Sequence, residues 1–159
     1  MEIYKLVFNP IEVNTYILAD VSGDCAIIDC GCYDRDEFTE LTDLIEHRKL
    51  KPVLLLNTHC HLDHIFGDIF MMGKYGLRAF CHKDDTFNRK NSTHHAQMFG
   101  LSMEKPSEPA GYLTDGQKIS FGQTELSVIH VPGHSPGGVA FYSGKDNVVF
   151  TGDALFAGS

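Results

Sequence analysis

The feature that most constrains this chain is the segment THCHLDH at residues 58–64, which directly follows the apolar run Val53–Leu56. An apolar run without polar alternation is typical of a central strand that is covered on both faces. The segment after it offers four side chains of the kind that hold a borderline ion such as Zn²⁺: His59, His61, Asp63 and His64. A helix would turn His61 away from the other three, whereas an irregular loop lets all four converge. The sequence therefore predicts a metal site on a loop after a buried strand.

Strand-like and helix-like segments alternate along much of the chain. Helical periodicity predicts one helix from about Asp34 to His47–Lys49 and another over Ile65–Tyr75. From His82 to Gly111 the periodicity is lost, so we expect an insertion or lid with only short helical turns. The alternation of strands and helices before His82 is typical of an α/β layer. Apolar runs between turn residues predict the strands: Ile3–Phe8, Asn14–Ala19, Cys25–Asp29, Val53–Asn57, Leu77–Cys81, Lys118–Phe121, Thr124–Val131, Val139–Tyr142 and Asn147–Phe150.

Two further candidate ligands follow other predicted strands. His134 lies in the glycine- and proline-rich segment 132–138, which we expect to be a stiff loop whose backbone conformation needs glycine. Asp153 follows the last strand, beside Gly152. Six donors are too many for one tetrahedral ion, which takes four. They suit two ions that share a bridging carboxylate and a bridging water, and a water held in this way loses its proton near neutral pH.

Composition excludes several classes of function. The 159-residue chain carries a net charge of −8 and has no basic stripe, which argues against a nucleic-acid partner. No apolar run is long enough for a membrane span, and five cysteines fit no disulfide framework. We therefore expect one domain over residues 1–159, located in the cytoplasm and acting on a small-molecule substrate. The sequence leaves the oligomeric state open.

Four of the five remaining histidines and one further aspartate are interpreted as structural or surface residues. His82 is expected to be a hydrogen-bonding loop residue rather than a metal ligand, and His130 is expected to be structural. His94 and His95 are interpreted as surface or lid residues. Asp29, at the end of the predicted strand Cys25–Asp29, is expected to orient a ligand or a loop.

The three motifs together resemble a known family. The pattern His-x-His-x-Asp-His at residues 59–64, the Gly-His-Ser-Pro-Gly of residues 133–137 and the Thr-Gly-Asp of residues 151–153 are similar to those of the metallo-β-lactamase superfamily. The Asp63–His64 pair and Asp153 look more like the glyoxalase II (hydroxyacylglutathione hydrolase) branch than like true β-lactamases, which have a cysteine at the position of Asp153. The resemblance covers essentially the whole chain.

The resemblance implies a fold and a set of roles. The fold would be an αβ/βα sandwich, in which two mixed sheets lie face to face with helices outside. His59, His61 and His134 would hold one metal ion, Asp63 and His64 a second, and Asp153 would bridge the two. Asp63 is also the expected catalytic residue. The ions would be two divalent metals, with Zn²⁺ expected and iron or manganese as alternatives.

The sequence departs from the family pattern in one respect. The family supplies a further histidine to the second ion from a later Gly-His pair, and no histidine follows His134. It also continues with a helix, a strand and another helix after the position of Asp153. We therefore expect a chain that is truncated or incomplete at its C-terminal side.

Several functions remain open at this point. The first is hydrolysis of a small thioester or ester by a metal-bound hydroxide, as in glyoxalase II. The alternative is an oxidoreductase similar to the persulfide dioxygenases of the same superfamily, which use a single iron. A nuclease is disfavoured by the negative charge. A metal-binding module without activity is favoured only if the chain natively ends at Ser159.

Overall fold

The parallel part of a six-stranded sheet, sheet 1, positions the candidate ligands. The computed structural model describes residues 1–156 and 158. Sheet 1 has the strand order β1-β2-β3-β4-β5-β6, in which β1 to β3 are antiparallel and β3 to β6 are parallel. Its strands are β1 (Glu2–Phe8), β2 (Val13–Ala19), β3 (Asp24–Ile28), β4 (Lys51–Leu56), β5 (Ala79–His82) and β6 (Gly111–Leu113).

All the α-helices of the described residues lie in the crossovers between the parallel strands. These crossovers return the chain so that the carboxyl ends of β3, β4, β5 and β6 share one edge. The helices are α1 (Arg35–His47), α2 (Leu62–Ile65), α3 (Asp68–Tyr75) and α4 (Thr86–Met98). None of the helices in the described part of the chain is long and apolar enough to cross a membrane.

A second, antiparallel sheet, sheet 2, packs against sheet 1. Its order is β10-β9-β8-β7, with β7 (Lys118–Phe121), β8 (Thr124–His130), β9 (Val139–Ser143) and β10 (Val148–Phe150). Apolar side chains from both sheets fill the space between them, including Leu18, Ile28, Leu56, Leu126, Val128 and Phe141. A separate core between sheet 1 and the helices contains Ile27, Leu55, Leu41, Ile45 and Met71. The described residues thus form a helix layer, sheet 1 and sheet 2, in that order.

The helix predicted over Ile65–Tyr75 is two helices, and it begins earlier than expected. The break falls at Gly67, whose backbone N–H donates to the carbonyl oxygen of Cys30 at 2.8 Å. A Cβ at Gly67 would lie 2.4 Å from the Cys30 Sγ atom, so only glycine allows this close approach. The chain therefore bends around Cys30 before it continues as α3.

The expectation of an irregular segment from His82 to Gly111 is wrong for residues 86–98, which form the 13-residue helix α4, but residues 101–109 are irregular as expected. The helix buries Arg89, Ser92 and Ala96 rather than an apolar stripe. Arg89 Nη1 makes a buried ion pair of 2.7 Å with Asp68 on α3. A helix that docks through polar groups carries no hydrophobic periodicity, so the sequence pattern that reveals α1 could not reveal α4.

The break at Gly67 leads to a stability prediction. Gly67→Ala should lower the free energy of unfolding by about 1–3 kcal/mol, because the new methyl group would overlap the Cys30 side chain. Urea unfolding followed by circular dichroism measures the change. Gly73→Ala is the matched control: a Cβ there meets nothing within 4 Å, and alanine inside a helix should raise stability by about 0.5–1 kcal/mol. Equal effects of the two substitutions would contradict the packing described at Gly67.

A carboxylate that joins the two sheets gives a pH prediction. Asp20, after β2, accepts hydrogen bonds from Thr124 Oγ1 on β8 at 2.7 Å and from the Ser22 N–H at 2.8 Å. The hydrogen bond from Thr124, followed by that from Ser22, lowers the pKa of Asp20 below its usual value. A depressed pKa contributes stability above the unfolded-state pKa of about 3.9, and this contribution is lost as the pH falls through the folded-state value. Wild type should therefore exceed Asp20→Asn in stability at pH near 6 and approach it on acidification below about pH 4, as measured by urea unfolding at each pH.

Candidate metal centre

The four candidate ligands of residues 58–64 differ in secondary structure. His59 and His61 lie on the connection that follows β4, and His61 is extended, with φ −66° and ψ 151°. Asp63 and His64 lie in the short helix α2, which begins at Leu62. The expectation that all four share an irregular loop is therefore only half right. The extended backbone at His61 is what lets this side chain turn back toward the others.

The first predicted ligand set is brought together in space. One donor atom from each of His59, His61 and His134 lies within 4.8 Å of the other two. His61 Nδ1 is 2.9 Å from His134 Nε2, although the residues are far apart in sequence. His59 is buried, His61 is half-buried and His134 is exposed, so the set opens from the core toward solvent. Three converging imidazoles match the ligand composition of a catalytic zinc site with an open position.

Asp153 lies between this set and the second predicted ligand set, which is Asp63 and His64. Its Oδ2 atom is 3.5 Å from His134 Nε2 and its Oδ1 atom is 3.2 Å from His64 Nε2. Donor atoms of His59, His64 and Asp153 also lie within 4.8 Å of one another. The Asp63 Oδ2 atom is 3.5 Å from His64 Nε2. All six sequence-predicted residues therefore meet in one cluster, with the Asp153 carboxylate facing both halves of it.

A glycine allows Asp153 to reach the cluster. Gly152 has φ +51°, and a Cβ there would lie 2.3 Å from Thr58 Oγ1. Both the left-handed backbone and the close approach exclude larger side chains. The end of β10 can therefore lie directly against the residue that precedes His59.

Asp29 and Thr58 fix which ring nitrogen each buried histidine presents. Asp29 Oδ1 accepts the Thr58 N–H at 2.7 Å, and its Oδ2 accepts the Thr58 hydroxyl at 2.6 Å and His64 Nδ1–H at 3.0 Å. Because the Thr58 hydroxyl proton goes to Asp29, its oxygen can accept His59 Nδ1–H at 3.1 Å. Both histidines are thereby left with Nε2 free as a metal donor, an arrangement typical of histidine ligands. The expected orienting role of Asp29 agrees with these contacts.

The charges and protonation states of the cluster are suited to binding a cation. His59 Nε2 is buried without a hydrogen-bond partner, which is costly unless another group binds it. Burial, together with the neighbouring His64, lowers the pKa of His59 to about 3, so this ring is a neutral imidazole. Burial also disfavours charge on His64, but Asp29, Asp153 and Asp63 more than offset it and raise the pKa of His64 to about 10. The negative charge that holds a proton there would equally hold a divalent ion.

A residue that the sequence reading missed, Asp85, links the two loops that carry the first ligand set. This fully buried carboxylate accepts the Cys60 N–H at 2.6 Å, between His59 and His61. It also accepts the Ser135 hydroxyl and the Gly137 N–H at 2.8 Å, on the loop that carries His134. Asp85 follows the parallel strand β5, just as Asp29 follows β3. The same rule that drew attention to Asp29 could therefore have found it.

The loop that carries His134 needs glycine for space rather than for an unusual backbone. None of Gly133, Gly137 and Gly138 has a positive φ, which corrects the sequence expectation. A Cβ at Gly137 would lie 2.6 Å from the Asp85 backbone nitrogen, and one at Gly138 would lie 2.9 Å from the Val131 carbonyl oxygen. Small residues there let the loop close onto Asp85.

The other histidines stay outside the cluster. His94 is exposed and His95 half-buried on α4, in agreement with a surface position. The rings of His82 and His130 stack on each other, with centroids 4.1 Å apart.

Comparison with known proteins assigns the family. The family model of the metallo-beta-lactamase superfamily matches residues 9–159. The chain belongs to the metallo-β-lactamase superfamily. The resemblance inferred from the sequence motifs is thus confirmed, and with it the mixed α/β sandwich that they imply.

Individual known proteins align over nearly the whole chain. The probable metallo-hydrolase YqgX of Bacillus subtilis is 32% identical over 160 residues, which cover 97% of this chain and 71% of that protein. The hydroxyacylglutathione hydrolase GloC of Haemophilus influenzae is 30% identical over 149 residues, covering 92% and 68%. The crystal structure of TTHA1623 in a di-iron-bound form has 33% identity and a TM-score of 0.86, covering 98% of this chain and 74% of that one. The chain thus spans about 70% of the length of these relatives.

The bridge that Asp85 forms between the two loops can be tested by metal titration. In Asp85→Asn one carboxylate oxygen becomes an NH₂ group, whose hydrogens would face donors that Asp85 now binds. The loop that carries His134 should then separate from the segment that carries His59 and His61. The affinity for Zn²⁺ should fall about 10–100-fold, the usual cost of losing a group that supports metal ligands. Competition with a chromophoric chelator measures it. Asp43→Asn, on an exposed position of α1, is the control and should bind like wild type. Unchanged affinity in a folded Asp85→Asn protein would refute the role of Asp85.

Proposed function

We propose that this protein is a metal-dependent hydrolase that cleaves a small thioester or ester at a centre of two divalent ions. His59, His61 and His134 would hold one ion, and Asp63 and His64 the other. Asp153 would bridge them. Zn²⁺ suits this set of nitrogen and oxygen donors, while the di-iron form of TTHA1623 makes iron an alternative, together with manganese.

The observation that carries the proposal is the position of the Asp153 carboxylate. Its two oxygen atoms lie 3.2 Å from His64 Nε2 and 3.5 Å from His134 Nε2, so each oxygen faces a different ligand set. A single ion would use only one of these sets together with Asp153, whereas two ions would use both sets, so a carboxylate that faces both favours a two-ion centre. Paired ions of this kind supply Lewis acidity, which acidifies water and polarises a carbonyl group.

The chain's own groups would position the reacting molecules. Asp29 and Thr58 hold His64 and His59 in fixed orientations, so the donors need little rearrangement during the reaction. Asp63 lines the cavity beside the cluster. Its Oδ2 atom, which faces His64 Nε2, would bind the ion, and its Oδ1 atom would accept a proton from the attacking water, which makes Asp63 the proposed catalytic residue.

The adjoining cavity has the size of a small-molecule site. Its volume is about 590 Å³, within the range of small-ligand sites. It is lined by Asp63, His64 and Asp153 on one side and by Lys5, Tyr16 and Phe156 among others. A thioester the size of S-lactoylglutathione is our proposed substrate class, and GloC, named as a hydroxyacylglutathione hydrolase, supports this choice. The free, buried state of all five cysteines is compatible with the reducing cytoplasm expected from the sequence.

The test combines metal analysis with two activity assays. The purified chain, loaded separately with Zn²⁺, Fe²⁺ or Mn²⁺, should bind about two ions and hydrolyse S-lactoylglutathione. Oxygen uptake with glutathione persulfide is measured in parallel. A single bound iron with oxygen consumption and no thioester turnover would overturn the proposal in favour of a dioxygenase.

Two histidine substitutions, one inside the cluster and one outside it, test the assignment of the site. His61→Ala should abolish turnover and remove the ion of the first set, because His61 contributes one of its three imidazoles. His47→Ala changes a histidine at the end of α1, away from the cluster, and should keep wild-type metal content and rate. Full activity of His61→Ala would refute the assignment of the site.

A further inference from the structure

A buried amide side chain outside the six ligands connects the hairpin of β1 and β2 to helix α2. Asn9 directly follows β1 and is only 7% exposed. Its Nδ2 atom donates to the backbone carbonyl oxygen of Gly31 at 2.9 Å and to that of Asp63 at 3.0 Å. Gly31 lies on the connection after β3, and Asp63 lies in α2. Asn9 therefore holds the backbone of one of the proposed metal ligands.

The Asp63 carbonyl group needs a donor from outside its own helix. In a continuous helix it would accept the N–H of the residue four positions later, which is Gly67. The bend at Gly67 directs that N–H to the carbonyl oxygen of Cys30. Asp63 is buried, and a buried carbonyl group without a donor is costly. The Asn9 amide takes the place of the missing helical hydrogen bond.

The orientation of the Asn9 side chain is fixed by its other contacts. Its Oδ1 atom accepts the Ile11 N–H at 2.9 Å, so the NH₂ group must face the two carbonyl oxygens. Its backbone N–H donates to Glu37 Oε1 on α1 at 2.7 Å. The backbone of Asn9 is left-handed, with φ +59°, a conformation that asparagine adopts more readily than most residues. Both the backbone and the side chain of Asn9 are thus held in place.

Close packing leaves α2 little room to move against this contact. A Cβ at Gly31 would lie 2.9 Å from Asn9 Nδ2 and 3.0 Å from the Asp63 carbonyl oxygen, so only glycine fits there. A change at Asn9 would therefore be passed directly to the backbone of Asp63 and of the next residue, His64. These two residues are the proposed ligands of the second ion.

We propose that Asn9 is a positioning residue for the second ion, an inference that rests on the two-ion centre proposed above. Its amide keeps the short helix α2 where the Asp63 and His64 side chains meet Asp153. The first ligand set is held by another group, since Asp85 binds both of the segments that carry it. Loss of the Asn9 amide should therefore weaken binding of the second ion more than binding of the first.

Two substitutions at Asn9 separate the effect of the amide from that of the backbone conformation. Asn9→Asp has nearly the same shape, but one of its oxygens would face the two carbonyl oxygens and repel them. Asn9→Gly tolerates the positive φ and removes the amide. In both variants, equilibrium dialysis against Zn²⁺ with elemental analysis should show the second ion bound about 10–100-fold more weakly and the first ion bound as in wild type. Asn147→Asp is the matched control, because Asn147 is exposed, has φ +53° and lies in the turn between β9 and β10.

Turnover provides a readout that a general loss of stability would not reproduce. At Zn²⁺ concentrations that fill both sites, a displaced Asp63 carboxylate would still orient the attacking water poorly. The kcat for S-lactoylglutathione should therefore fall roughly 10–100-fold in Asn9→Asp, while KM changes little. Circular dichroism gives the folded fraction, and rates are expressed per folded chain.

The outcomes separate the role of Asn9 from the two-ion centre itself. Two ions in the wild type, with unchanged second-ion affinity in both Asn9 variants, would overturn the role of Asn9 and leave the two-ion centre standing. Equal weakening of both ions would also overturn that role, because it would mean general damage rather than positioning. A single ion in the wild type would contradict the two-ion centre, and the role of Asn9 with it.

Discussion

The site depends on buried carboxylates that collect hydrogen bonds from separate segments at one edge of sheet 1. Asp29 binds the backbone and hydroxyl of Thr58 and the ring of His64, so it sets the geometry of the second ligand set. Asp85 does the same for the two loops that carry the first set. A buried carboxylate is costly unless its lone pairs are used. Both use theirs on groups adjacent to ligands, so the cost of burial is offset by hydrogen bonds that order the metal centre.

The concentration of negative charge around His64 requires a compensating positive charge, which either a proton on His64 or a metal ion can supply. Three carboxylates surround a buried imidazole whose Nε2 is aimed between Asp63 and Asp153. Without a cation, like charges in a poorly solvated place repel one another. Stability and metal content should therefore be coupled in this chain, as they are in other proteins whose ligands are brought together by folding.

The sequence predicted the site better than it predicted the surrounding helices. The six candidate ligands could be found because histidine and aspartate side chains just after strand ends often mark a functional site, and because their spacing matches a family pattern. Helix α1 was predictable from its apolar stripe and from Asp34, which caps it by accepting the N–H groups of Asp36 and Glu37. Helix α4 was not, because its buried face is Arg89, Ser92 and Ala96. Asp85 could have been noticed as a carboxylate just after a strand, but the partners that give it its role lie 25 to 52 residues away in sequence, and no local pattern encodes these contacts.

The distance along the chain between His59 and Asp153 has a consequence for biosynthesis. A chain is made from its N-terminus, and its early segments leave the ribosome first. The segment 58–64 would emerge with three histidines and an aspartate exposed, long before β8 and β10 could position His134 and Asp153. During this interval it could hold an ion only loosely and with little selectivity. The proposed ions would meet their full ligand set only after sheet 2 has packed on sheet 1, so the choice between metals would fall in the last steps of folding.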